Sequence, residues 1–131
     1  MAITRETLRD HCAAALARRR ESYPAMIEGG RITAEAAAAD IEGWDILFLE
    51  WTWVCIAKPG GFPPTAFGMG LSPALRACLT ASVDLALRRI EAELSRLGGG
   101  GANRAELRAQ QDLNLTLRLH LDAAPGRKEA A

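Results

Sequence analysis

Glu50 is the residue in this chain whose setting most favours acid–base chemistry. It stands in Leu47-Phe48-Leu49-Glu50-Trp51-Thr52-Trp53, and a carboxyl group among large apolar side chains is pushed towards its neutral form, so that it can exchange a proton near neutrality. A catalytic pair would need a second, matched carboxylate. Asp40, Glu42 and Asp45 share the helix, with Glu42 and Asp45 one turn apart, but none makes a dyad with Glu50. The simpler reading is that its carboxylate reaches the helix edge or meets an arginine. Cys55 or Cys78 would act as a nucleophile only with a histidine brought from elsewhere. Both fall in apolar helical stripes, where a thiol ordinarily just packs. His11 and Cys12 are adjacent and point to different sides of a helix, which predicts a surface histidine beside a core thiol. His120 is the only other histidine, and no Cys-x-x-Cys or His-x-x-x-His spacing occurs, so no metal site is expected. No motif calls for a cofactor either. The Gly-rich stretch after Lys58 lacks the order of a phosphate-binding loop and follows no strand.

Two groups read as contact surfaces instead. Arg18, Arg19 and Arg20 cover most of a helical turn and cannot all face one way. Together they are the candidate phosphate or nucleic-acid contact; alone, Arg19 lies nearest the apolar stripe and is expected to snorkel or to pair with an acid. Phe62 and Phe67 either cap the core or stand exposed as anchors. With Trp51 and Trp53 of the preceding helix they are the candidate protein-binding residues.

Three long helices, a short one after Pro24 and a last helix position these groups. Thr4 caps a first helix whose stripe runs Leu8, Cys12, Ala15, Leu16, Arg19. Pro24 lacks a backbone donor and disfavours helix at Tyr23, so the helix is predicted to break or kink there and to resume as a short turn through Ile27. Gly29 and Gly30 end it, and Thr33 caps a second helix reaching about Lys58. Its stripes are Ala37, Ile41, Trp44, Phe48, Trp51, Cys55 and Ile46, Leu49, Trp53, Ile56. Being apolar nearly all round from Ile46, it is expected to be surrounded by other elements. Residues 59–71 read as a loop. Ser72 and Pro73 open a third helix with the stripe Leu75, Leu79, Val83, Ala86, Ile90, Leu94, Leu97, and Arg89 and Glu93 lie one turn apart on its outer side. Residues 98–101 form a glycine linker, and Asn103 is placed to cap a last helix. Leucines at 113, 115, 117, 119 and 121 alternate like a strand, yet their neighbours are helix formers; helix is favoured, with strand as the alternative. Residues 123–131 read as a tail.

Composition sets the bounds. At 131 residues the chain is read as one domain, residues 1–131, large enough to bury a core. Its net charge of zero supplies no global field for nucleic acid. Of the 16 basic residues only Lys58 and Lys128 are lysine, a bias that fits a GC-rich genome. Three widely spaced cysteines and no signal peptide predict free thiols in a reducing compartment, the cytoplasm of a host cell. The most apolar run, Ile46 to Ala57, is too short for a membrane span, which needs roughly 20 residues.

The pattern Arg19-Arg20-x-x-Tyr23-Pro24-x-x-Ile27-x-x-Gly-Arg31-Ile32-Thr33-x-x-x-Ala37, followed by Ile41 and Trp44, resembles one in small, largely uncharacterised proteins of phages and prophages. The likeness covers residues 18–50, with one extra glycine in the turn and a more aromatic second helix. It implies a phage setting and a helical hairpin, and no activity. The expected molecule is therefore an all-α bundle of three to four long helices. Its expected role is that of a non-catalytic accessory or regulatory factor binding a host or phage protein, such as an inhibitor of a host or defence complex, with a homodimer through the second helix and the leucine-rich end. A nucleic-acid-binding regulator and a small enzyme are the alternatives.

Overall fold

The computed structural model describes residues 3–56, 70–97, 102–124 and 126. They form four helices, α1 (Arg5–Glu28), α2 (Ala34–Ile56), α3 (Pro73–Leu97) and α4 (Ala102–Ala123), packed as an all-α bundle. Residues 113–121 are helical, so the strand alternative falls. Among the described residues one isolated bridge, Leu71 to Gly126, pairs backbone outside the helices. No helix is long and apolar enough to cross a membrane among these residues.

Thr4 caps α1 as expected: its Oγ1 accepts from the Thr7 N–H at 3.1 Å, and Thr7 Oγ1 accepts in return from the Thr4 N–H. Of the break or kink expected at Pro24, the break does not occur; α1 runs through it to Glu28. Pro24 and Arg20 are both exposed, so water can take the carbonyl that the proline leaves unpaired, while buried Tyr23 holds this last turn to the bundle. The helix ends where the glycines stand. Gly30 adopts φ +73°, the Arg31 N–H donates to the Met26 carbonyl at 2.9 Å, and the Gly30 N–H donates to Ile27 at 3.1 Å. That left-handed stop satisfies two end carbonyls and reverses the chain. Thr33 Oγ1 then accepts from the Ala36 N–H at 3.1 Å and starts α2.

The buried face of α2 is Ala37, Asp40, Gly43, Trp44, Leu47, Glu50 and Trp51, rotated from the expected stripes. Ile41, Phe48 and Cys55 are half-buried. Leu49, Trp53 and Ile56 are 50%, 43% and 59% exposed, so the second stripe is not enclosed. The reason is that α2 packs on α1 and α3 from one side only. Gly43 marks a close approach to α3: a Cβ there would lie 2.4 Å from Ser82 Oγ.

Ser72 caps α3, its Oγ accepting from the Leu75 N–H at 3.2 Å, and Leu79, Val83, Ala86, Ile90 and Leu94 of the expected stripe are buried. The fourth helix starts at Ala102, so Asn103 sits inside its first turn and not at the cap. Leu117 and Leu121 face the core, whereas Leu115 and Leu119 are exposed. Arg76 of α3 caps the far end of α4, donating to the Leu121 carbonyl and, at 2.6 Å, to that of Ala124. Arg104 of α4 reaches the Leu94 carbonyl near the end of α3, so the two helices are antiparallel. The helices pack in ring order α1–α2–α3–α4, and the ring closes through a lighter contact between α4 and α1.

Candidate functional site

The light contact between α1 and α4 leaves a cleft of about 320 Å³, lined chiefly by α1 with residues of α3 and α4 and floored by Trp44 of α2. A buried polar network forms its wall. Arg19 Nε donates to Asp40 Oδ2 at 2.8 Å and its Nη1 to the Ala15 carbonyl at 3.0 Å, while its guanidinium lies 4.7 Å from the centre of a Trp44 ring. The Tyr23 hydroxyl donates to the same carboxylate oxygen and accepts from Arg89 Nη1 at 2.8 Å. Burial, and the bond it donates to Asp40, push the Tyr23 phenol above its usual range.

His11 lies at the base, buried, with its ring edge-on to Trp44 at 5.9 Å. Asn114 Nδ2 donates to the Gln110 carbonyl at 3.0 Å, which leaves Oδ1 to accept from His11 Nε2 at 3.2 Å. The neutral imidazole therefore carries its proton on Nε2 and keeps Nδ1 as an acceptor. Burial holds the His11 pKa below its ordinary value, the bond to Asn114 opposing and the charges of Arg18 and Arg19 adding to the shift. The expected surface histidine is thus a buried one. Arg89, expected beside Glu93, turns to Tyr23 instead, and Glu93 pairs with Arg96.

The three consecutive arginines diverge. Arg19 is buried on Asp40, Arg20 lies 3.9 Å from Asp45 at the surface, and Arg18 lines the cleft. Trp51 is not a surface residue. It is buried, its ring centroid 4.8 Å from that of His120, because it stands on the α2 face turned to the core. Trp53, two residues on, faces outward with Leu49 and Ile56. Phe62 and Phe67 lie outside the described residues. Glu50 is buried in the core-facing side of α2. Cys12 is a buried free thiol, and Cys55 and Cys78 are half-buried free thiols. Among the described residues no three His, Cys, Asp or Glu side chains are grouped to hold a metal ion.

On the sequence alone, Tyr23, Asp40, Arg89 and Asn114 are given no place in a buried network, yet the spacing of Tyr23 and Asp40 points to one. Tyr23 continues the α1 stripe one turn beyond Arg19, and Asp40 lies between Ala37 and Trp44 at steps of three and four. A charged residue in register with a core stripe demands a buried partner. No protein family matches this chain, and no match is found among curated proteins or solved structures.

Proposed function

We propose that this chain is a non-catalytic accessory factor of phage or prophage type that binds a protein partner through the C-terminal half of α2, for instance to inhibit a host or defence complex. The observation that carries this reading is the outward stripe of Leu49, Trp53 and Ile56. These residues fall at i, i+4 and i+7, the pattern by which a helix lays an apolar face into a groove, and an exposed tryptophan is the residue type most often found at the energetic centre of an interface. Phe62 and Phe67 follow within the next eleven residues of the chain and extend the same apolar character. The matching occupant is a protein groove lined by aliphatic and aromatic side chains. The phage setting rests on the pattern across residues 18–50.

The test is affinity capture from the bacterial host after a high-salt wash, comparing the native chain with Trp53→Ala and with Leu49→Ser/Ile56→Ser. One stoichiometric partner retained by the native chain and lost by both folded variants is the expected outcome. A partner held equally by all three would place the interface elsewhere. The nucleic-acid alternative needs Arg18, Arg19 and Arg20 on one face, and Asp40 and Asp45 draw two of them apart. The enzyme alternative rests on Glu50 or a cysteine, and loss of a measured activity in a folded Glu50→Gln variant would restore it.

A further inference from the structure

We propose that the cleft between α1, α3 and α4 is a binding site for a small organic oxyanion, a carboxylate or phosphate monoester carried on an apolar or aromatic body. The site is separate from the α2 stripe, and either assignment can fail without the other.

Its charge is one-sided. Arg18, Arg19 and Arg89 line the cleft, and no acidic side chain does. Asp40 offsets Arg19 from behind. Glu106 of α4 is near enough to favour the charged form of Arg18 but makes no ion pair with it, and Arg89 has no ion pair among the described residues. Its single bond is to the neutral Tyr23 hydroxyl, through Nη1. Arg89 Nε and Nη2 and Arg19 Nη2 have no hydrogen-bond partner among the described residues, nor does any side-chain donor of Arg18. Guanidinium groups with free edges match the paired oxygens of a carboxylate or phosphate.

The rest of the cavity selects what carries the anion. Trp44 forms an aromatic floor, Ile90 and Met26 are apolar walls, and Trp44 Nε1–H is buried with no partner among the described residues. The volume of about 320 Å³ is that of a small-molecule site. A bare inorganic ion would leave the apolar floor and walls unused, and a nucleic-acid duplex cannot enter.

Titration of phenyl phosphate, phenylacetate and inorganic phosphate into the full ¹⁵N-labelled chain, following arginine Nε–H and indole N–H signals, tests this. At least one aromatic probe should bind saturably at one site, about tenfold or more tighter than inorganic phosphate, and the better of the two identifies the oxyanion. Arg18→Gln and Arg89→Gln, each at an exposed position and checked for native helix content, should weaken that probe by about tenfold, while Arg108→Gln on the outside of α4 should not change it. No saturable shift at roughly 10 mM of either aromatic probe overturns the proposal. So does equal binding of inorganic phosphate, or binding that Arg108→Gln weakens as much as the cleft variants do.

Discussion

Arg19 and Asp40, twenty-one residues apart in sequence, meet inside the α1–α2 hairpin with Nε 2.8 Å from Oδ2. Both side chains are almost fully buried, and the same carboxylate oxygen also accepts from Tyr23. The pair fixes how α2 is rotated against α1, because Asp40 lies on the same face as Trp44. Breaking it from one side leaves a charge in the interior. Asp40→Ala should therefore destabilise the protein by about 3–5 kcal/mol. Replacing both partners with apolar residues, Arg19→Met with Asp40→Leu, should recover most of that loss. Urea unfolding of the three variants measures it; a double variant no better than the single one would show that hydrogen-bond geometry, not the stranded charge, sets the cost.

Gly43 is buried where α2 crosses α3, and a methyl group there would meet Ser82 Oγ at 2.4 Å and Ser82 Cβ at 3.2 Å. Alanine favours helix over glycine by about 1 kcal/mol, so propensity and packing oppose one another. Packing should win, because the nearer contact is far inside van der Waals range and Ser82 is itself buried. Gly43→Ala is expected to cost about 1–3 kcal/mol. Adding Ser82→Ala removes the hydroxyl but not the Cβ, so the double variant should regain part of the stability. Thermal melts of the cycle decide it, and a stabilised Gly43→Ala single variant would mean that the two helices separate freely.

Helix positions were legible in this sequence because their ends carry chemical signals that act locally. Thr4, Thr33 and Ser72 each accept the expected N–H, and the Gly29–Gly30 turn stops α1. Pro24 does not break α1 because the cost of a missing donor depends on whether water reaches the freed carbonyl, and the exposure of Pro24 and Arg20 is set by tertiary packing that local sequence does not carry. The leucine alternation at 113–121 also has a tertiary answer. In a helix it divides into inward Leu117 and Leu121 and outward Leu115 and Leu119. The site was harder to read because its parts come from four helices. His11 and Asn114 lie 103 residues apart, and nothing in the neighbourhood of either announces the other.

Acid should destabilise the fold through His11. Its folded pKa is held below the ordinary histidine value by burial and, to a lesser degree, by the Arg18 and Arg19 charges, with only Asn114 opposing. The unfolded chain therefore takes up the proton first as pH falls. The stability contributed by the neutral imidazole is complete above about pH 6.5 and is lost as pH drops through the folded value. Melting temperature should fall between about pH 7.5 and about pH 5, and His11→Gln should flatten that slope. An unchanged slope would assign the acid sensitivity to His120, whose pKa burial also lowers, or to the carboxylates.

Cysteine labelling reports on whether α1 stays seated on the core. Cys12 is fully buried in the core cluster on α1, and burial pushes its thiol up to about 12. Cys55 and Cys78 are half-buried, with thiols raised more by burial than by any charge. Since the thiolate is the reacting form, iodoacetamide near neutral pH should modify Cys55 and Cys78 in the native protein and leave Cys12 untouched until urea is added. If Cys12 reacts only through global unfolding, its rate is scaled down by the unfolded fraction, roughly 10⁻³ to 10⁻⁶. Mass spectrometry of the labelled peptides separates the three sites. Labelling of Cys12 at the rate of Cys78 would mean that α1 lifts from the core in the native state. The cleft beside it would then be a moving surface rather than a preformed one, and the free arginine edges would not be held in place for an anion.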